Sequence, residues 1–293
     1  MTLLIMSGQG VAGEIEPRAY ANTPIGINFL IAGYAYSDGG LSTEASSPIQ
    51  DAELDISSEI LAYARVFDVW GKSGKVDVIL PYSQLSGSAT VAGQTVERNV
   101  SGLNDPRLRF SVNFYGAPAL SLPEFANYQQ DLIIGASIQV SAPFGQYDND
   151  KMVNLGNNRW FVKPDIGISK AWGNFSLECS SGVFLFSKND DYFGGKTLDQ
   201  DSVYSTQIHA TYSFGRGIWA ALSGTYDYGG RRAIDGVREK DAEDNLRVGA
   251  TFALPVNRNN SIKLSASTPI QTSTGSDYDL IGIFWQYRWG KEL

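Results

Sequence analysis

The chain holds a single histidine, His209, and it keeps the company that nucleophilic chemistry needs. Ser205, Gln207, His209 and Thr211 take alternate positions, so a strand would place all four on one face. A histidine beside a hydroxyl is raw material for acyl transfer, which raises the reading of a barrel enzyme that cuts lipid. Such a pair would have to face lipid to meet an acyl chain, and the phase of 203–214 points it the other way. A lone histidine on a polar face reads more simply as a hydrogen-bonding residue, and no catalytic set is expected. Cys179 is the one cysteine, so no internal disulfide can form, and one histidine rules out a His-rich metal site. The acidic run "YDND" (147–150) lacks a complete calcium-loop pattern. Neither metal nor cofactor is expected.

What remains is ionic, and it is regularly spaced. Arg107, Arg109, Ser111 and Asn113 alternate with Leu108, Phe110, Val112 and Phe114. Arg247, Gly249, Thr251 and Ala253 alternate with Leu246, Val248, Ala250, Phe252 and Leu254, and Lys263, Ser265 and Ser267 with Ile262, Leu264 and Ala266. Period-2 alternation is the mark of strands with two unlike faces. It recurs in twelve segments, near 24–36, 52–68, 75–87, 103–115, 130–143, 158–171, 174–187, 202–214, 217–228, 244–254, 260–269 and 278–289. No amphipathic helix or composition break intervenes, so one all-β domain is predicted.

The connections alternate as well. "GKSG" (71–74), "WGN" (172–174), "FGRG" (214–217) and "PVNRNN" (255–260) are tight, whereas those between them are mostly long and polar, as in "SDGGLSTEASSPIQ" and "SKNDDYFGGKTLDQ". The stretch 116–129, "GAPALSLPEFANYQ", is long yet falls on the tight side, where it reads equally as a plug or an ordered turn. An even number of strands with one plain and one elaborate end predicts a twelve-stranded antiparallel up-and-down transmembrane β-barrel, both termini on the periplasmic side of an outer membrane. Aromatics make up 12% of the 293 residues and gather towards strand ends, where interfacial girdles would sit. A soluble lipid-binding barrel or sandwich would turn the same apolar faces inward and is the alternative.

With apolar faces outward, the pore-lining candidates are Glu59, Arg65, Arg107, Arg109, Lys163, Asp165, Glu178, Gln207, His209, Arg247, Lys263 and Arg288. Asp55, Asp77 and Asp227 share the inward phase. The charges nearly balance, so strong anion selection is not expected, and twelve strands leave only a narrow passage. The net charge of −8 leaves no basic stripe for nucleic acid. Pro81 and Pro164 fall within strand segments and each removes a ladder donor, which predicts a bulge or a gap in the wall. Residues 1–13 read as a truncated signal-peptide remnant and 14–293 as the barrel.

The strings "GAPAL" (116–120), "NLGNNRW" (154–160), "KPDIG" (163–167), "YDYGG" (226–230) and "WQYRW" (285–289), in this order and spacing, carry a likeness. The chain resembles the outer-membrane channel family named for the meta-pathway of phenol degradation, from about Pro17 to Trp289. The aromatic last strand, Ile281, Ile283, Trp285, Tyr287 and Trp289 on one face, also resembles the assembly signal of outer-membrane barrels. The resemblance implies a monomeric twelve-stranded channel, embedded in outer-membrane lipid, for uptake of small hydrophobic or aromatic molecules.

Overall fold

A computed structural model describes residues 16–42, 49–91 and 93–290. The expected leader at 1–13 lies outside them. In chain order the strands are β1 (Ile27–Ser42), β2 (Ile49–Val69), β3 (Lys72–Val91), β4 (Gln94–Leu103), β5 (Arg107–Tyr115), β6 (Leu132–Ser141), β7 (Phe161–Trp172) and β8 (Phe175–Phe186). They continue as β9 (Asn189–Tyr192), β10 (Lys196–Gln200), β11 (Val203–Gly215), β12 (Ile218–Gly229), β13 (Arg232–Ile234), β14 (Val237–Arg238), β15 (Glu243–Pro255), β16 (Asn260–Gln271) and β17 (Gly275–Gly290).

Twelve of these form a closed antiparallel barrel. Closure comes from β1 and β17, which pair without a break from Ile27 opposite Gly290 to Ser42 opposite Gly275. The other five lie beyond the ring. β4 pairs with β3 alone, and β9, β10, β13 and β14 make a small second sheet at the long-loop end. Sequence periodicity missed all five, because they are short or largely exposed on both faces, as β4 is.

Side chains alternate across the wall as the pattern demands. Leu222, Ile281 and Ile166 point outward and are 70%, 60% and 56% exposed. Each would gain about 1.5–3 kcal/mol from full burial, so a continuous outer belt of such residues is stable only against hydrocarbon. Tyr204 and Phe214 face out at opposite ends of β11. Ten residues of strand between them span about 34 Å, or about 26 Å when tilted by roughly 40°, close to the apolar band of a membrane barrel. Tyr34, Tyr82, Tyr226 and Trp160 continue the rim at the long-loop end, and Tyr63, Trp172, Tyr212 and Trp289 at the other. Cys179 faces outward with Leu177.

The phase fails on β2. Ile56, Ser58, Ile60, Ala62, Ala64 and Val66 are the buried, inward set, so Glu59 and Arg65 stand outward with Leu61 and Tyr63. Asp55 is outward too and accepts a 2.6 Å bond from the Tyr36 hydroxyl. The extrapolation assumed polar faces inward everywhere, and β2 reverses that rule. Glu59 pairs in register with Tyr34 at the outer rim, and Arg65 with Asn28 near the opposite one, so both carry their charge at the edge of the apolar belt.

The 116–131 connection is an ordered base. It includes a four-residue helix, α1 (Leu122–Phe125), and its Ala117 and Pro118 pair with the 71–73 turn through Ser73 N–H to Ala117 O (3.0 Å) and a Lys72–Pro118 bridge.

Candidate functional site

Residues 16–25 run inside the barrel ahead of β1. Arg109 on β5 anchors the start, its Nη2 2.5 Å from Glu16 Oε2 and its Nε 3.1 Å from Asp77 Oδ2 on β3. Burial alone would raise the Glu16 carboxyl, but Arg109, Lys75 and Lys263 outweigh it and hold the group down at about 2. Glu178 on β8 accepts the backbone N–H groups of Ala19 (3.0 Å) and Tyr20 (3.2 Å), one on each oxygen. The Tyr20 hydroxyl donates to Asp165 on β7, and Asn113 Nδ2 donates to Tyr20 O at 3.3 Å. Arg18 lies 5.4 Å over the ring of Trp219, the large inward exception on β12. Towards the short-turn end, Asn22 Nδ2 donates to Pro118 O and Ile25 N–H to Leu120 O.

Glycine makes room for this segment. Gly135 on β6 and Gly167 on β7 are register partners, and both lie under the Tyr20 ring. A Cβ on Gly167 would come within 2.1 Å of that ring and one on Gly135 within 2.6 Å, so the cross-strand pair is a floor that only glycine can provide. The space left between the segment and the wall is about 50 Å³, room for a water or two.

Ten of the twelve predicted lumen residues do face inward: Arg107, Arg109, Lys163, Asp165, Glu178, Gln207, His209, Arg247, Lys263 and Arg288. Glu59 and Arg65 do not, as described above. His209 is 2% exposed, with Nδ1 2.8 Å from Ser223 Oγ and Nε2 3.2 Å from Gln207 Oε1. Both ring nitrogens are thus engaged on the lumen side, out of reach of any acyl chain, and the imidazole acts as a hydrogen-bonding residue.

The lumen wall is two-sided. Ala35, Ile60 and Phe284, with Ile31 and Ile79, form an inward apolar patch across β1, β2, β3 and β17. Phe161, Phe184, Val203 and Phe186 form another across β7, β8 and β11. Inward cations sit on inward rings: Lys163 Nζ lies 4.4 Å over Phe184, Lys263 Nζ 5.1 Å over Phe284, and Arg247 Cζ 4.4 Å over Tyr278. Sequence reasoning missed Glu16, Arg18 and Tyr20, and it missed Phe284. The charged run "GEIEPRAY" beside an unused Gly135–Gly167 pair was the available signal for the first three.

The prolines differ: Pro81 marks a change of partner bridged by Asn104 N–H to Pro81 O (2.9 Å), whereas Pro164 marks a skipped pair in the ladder. β3 pairs with β5 only as far as Ile79, then with β4 from Tyr82 onward, and Pro81 stands at the switch. Its other side stays continuous, with Ile60 opposite Pro81 on β2. On β7, the ladder to β8 stops after Val162 and resumes at Asp165, so it skips Lys163 and Pro164, while β6 pairs across them without interruption. Beyond the β3 switch, the 142–160 segment takes the place of wall. Gln146 N–H donates to Leu103 O (2.7 Å), Arg98 Nε to Val153 O (3.0 Å), and Asp105 accepts from Gly145 N–H, Asn157 N–H and Asn157 Nδ2.

The sequence profile of the family described as "Putative MetA-pathway of phenol degradation" matches residues 36–284. The chain belongs to this family. Among solved structures, this family member superposes on the COG4313 outer membrane channel from Pseudomonas putida F1 with a TM-score of 0.79, at 21% identity, over 94% of this chain and 100% of that one. The transport unit of the autotransporter AIDA-I from Escherichia coli follows at 0.53, with 8% identity over 94% and 93%. The β domain of the Bordetella autotransporter BrkA gives 0.52, with 10% identity over 90% and 100%. At these identities the likeness is one of fold. A comparison with curated protein sequences finds no significant match.

Proposed function

We propose that this family member is a monomeric outer-membrane channel for small hydrophobic or aromatic molecules, kept shut by its own residues 16–25. The observation that carries the reading is the two-sided lumen, in which apolar patches run beside fixed charges and a segment fills the middle whose residues 16–20 are held by side chains of the wall. A filled barrel with no path would need no such removable tether. The apolar belt supports a membrane setting, and we read the tight-turn end, where β1 starts and β17 stops, as the periplasmic one. Gly167→Ala tests the gate. Its added Cβ displaces Tyr20, so single-channel conductance and the flux of a neutral aromatic solute into liposomes should rise several-fold over the unaltered protein. Equal conductance in a variant that still folds would discard the gate.

The ladder break at Lys163 and Pro164 supports a second element of the reading, release of an apolar solute sideways into lipid instead of along the axis. Pro164 and Val183 face outward across the skipped pair. A disulfide joining Pro164→Cys and Val183→Cys should lower flux of the aromatic solute while sparing ion conductance. If reduction of that bond changes neither, exit is axial.

A further inference from the structure

The long-loop end holds a second, larger cavity of about 150 Å³ above the tethered segment. The 142–160 segment contributes Tyr147, Met152 and Arg159, the outer sheet Tyr192 and Leu198, and the barrel wall Tyr278. Arg159 is the unusual member. It is only 5% exposed, its Nη2 donates to Gln200, and its guanidinium lies 4.4 Å over the Phe186 ring. Its Nη1 has no hydrogen-bond partner among the described residues. Burial and then the like charge of Arg232 push the group down to about 10, against the smaller opposite pull of Tyr192, Glu243 and Asp105. A buried cationic donor with a cation for a neighbour is an arrangement short of one anion.

Size and charge narrow what that anion can be. Lys151, Arg159, Arg232 and Arg247 border the cavity against Asp227, Asp241 and Glu243, a surplus of one positive charge. Arg232 is already paired with Asp241, so a doubly charged phosphate is poorly matched. A cavity of this volume accepts about one benzene ring. The thioether of Met152 and the rings of Tyr192 and Tyr278 are walls suited to an aromatic face.

We propose that this cavity is a binding site for a monocyclic aromatic carboxylate, whose carboxylate takes the free Nη1 of Arg159 while its ring lies among Met152, Tyr192 and Tyr278. The proposal rests on the channel reading for its purpose, since a site at the outer mouth would concentrate solute ahead of the gate, but its binding test stands apart. Titration calorimetry on the full-length protein in detergent would compare benzoate with the neutral benzyl alcohol. Benzoate should bind the unaltered protein, Arg159→Gln should weaken it at least tenfold, and Arg159→Lys should lose less. Met152→Trp fills the ring space without touching the guanidinium and should abolish benzoate binding with the barrel intact. It decides the matter if Arg159→Gln does not fold. No benzoate binding, equal affinity in Arg159→Gln, or equal affinity for benzyl alcohol would overturn the proposal. Benzoate that binds but never crosses a bilayer would overturn the channel reading and leave the site standing.

Discussion

Glu16 and Glu178 hold the same short stretch of chain by different means. Glu16 relies on a cation, Arg109, while Glu178 offers its two oxygens to two backbone N–H groups. The ion pair to Arg109 makes the first tether sensitive to acid. The Glu16 carboxyl sits below its ordinary value of 4.5, at about 2 in place, so its contribution is complete above 4.5 and fades as the pH falls from there towards 2. Conductance in a planar bilayer should therefore stay level from neutral pH down to about 4.5 and rise below it. The rise should be absent in Glu16→Gln, which starts from the higher level. A channel that opens on alkalinisation instead would contradict the tether. Residue roles were legible where alternation was strict, as for Arg247 and Lys263. They were not legible where a charge served a contact made far along the sequence, because nothing local to Glu16 announces Arg109.

The 142–160 segment is the element that departs most from barrel regularity. It stands where strand would otherwise be, and Asp105 is its pin. Asp105 is 5% exposed and receives three donors from residues 145 and 157. Asp105→Ala leaves these donors without their acceptor at about 1–3 kcal/mol for each that water cannot reach. Limited proteolysis should then cut within 142–160 at least tenfold faster, with the strand signal in circular dichroism unchanged. Cutting at the original rate would show that the remaining contacts suffice. The twelve ring strands were readable because each covers lipid on one face and lumen on the other. β4 was not, since a strand largely exposed on both faces carries little alternation, and the outer strands β9, β10, β13 and β14 were not, since each is too short to show a period. β2 was read with the right limits and the wrong facing for the opposite reason: its apolar residues belong to the lumen patch, and period alone does not say which side of a sheet is dry.

At the scale of the whole molecule, the barrel is regular outside and divided inside. The outer belt requires hydrocarbon, and the interior combines aromatic patches, stacked cations and a captive stretch of its own chain. With β2 reversed the predicted inward set turns more basic, since Asp55, Glu59 and Arg65 leave the lumen together and remove two acids for one base. One cation stacked on a ring is the local device that repeats, at Lys163, Arg247 and Lys263, and it gives a solute with both a ring and a charge several places to pause.

Closure of β1 on β17 also settles a question of threading. Because the first strand completes the ring and the residues before it turn back into the interior, Glu16 stands enclosed on all sides by wall. Gly290, by contrast, lies at the rim, paired with Ile27. Glu16 and Gly290 are thus opposites in access: a probe attached at the first must share the conduit, and a probe attached at the second leaves it clear.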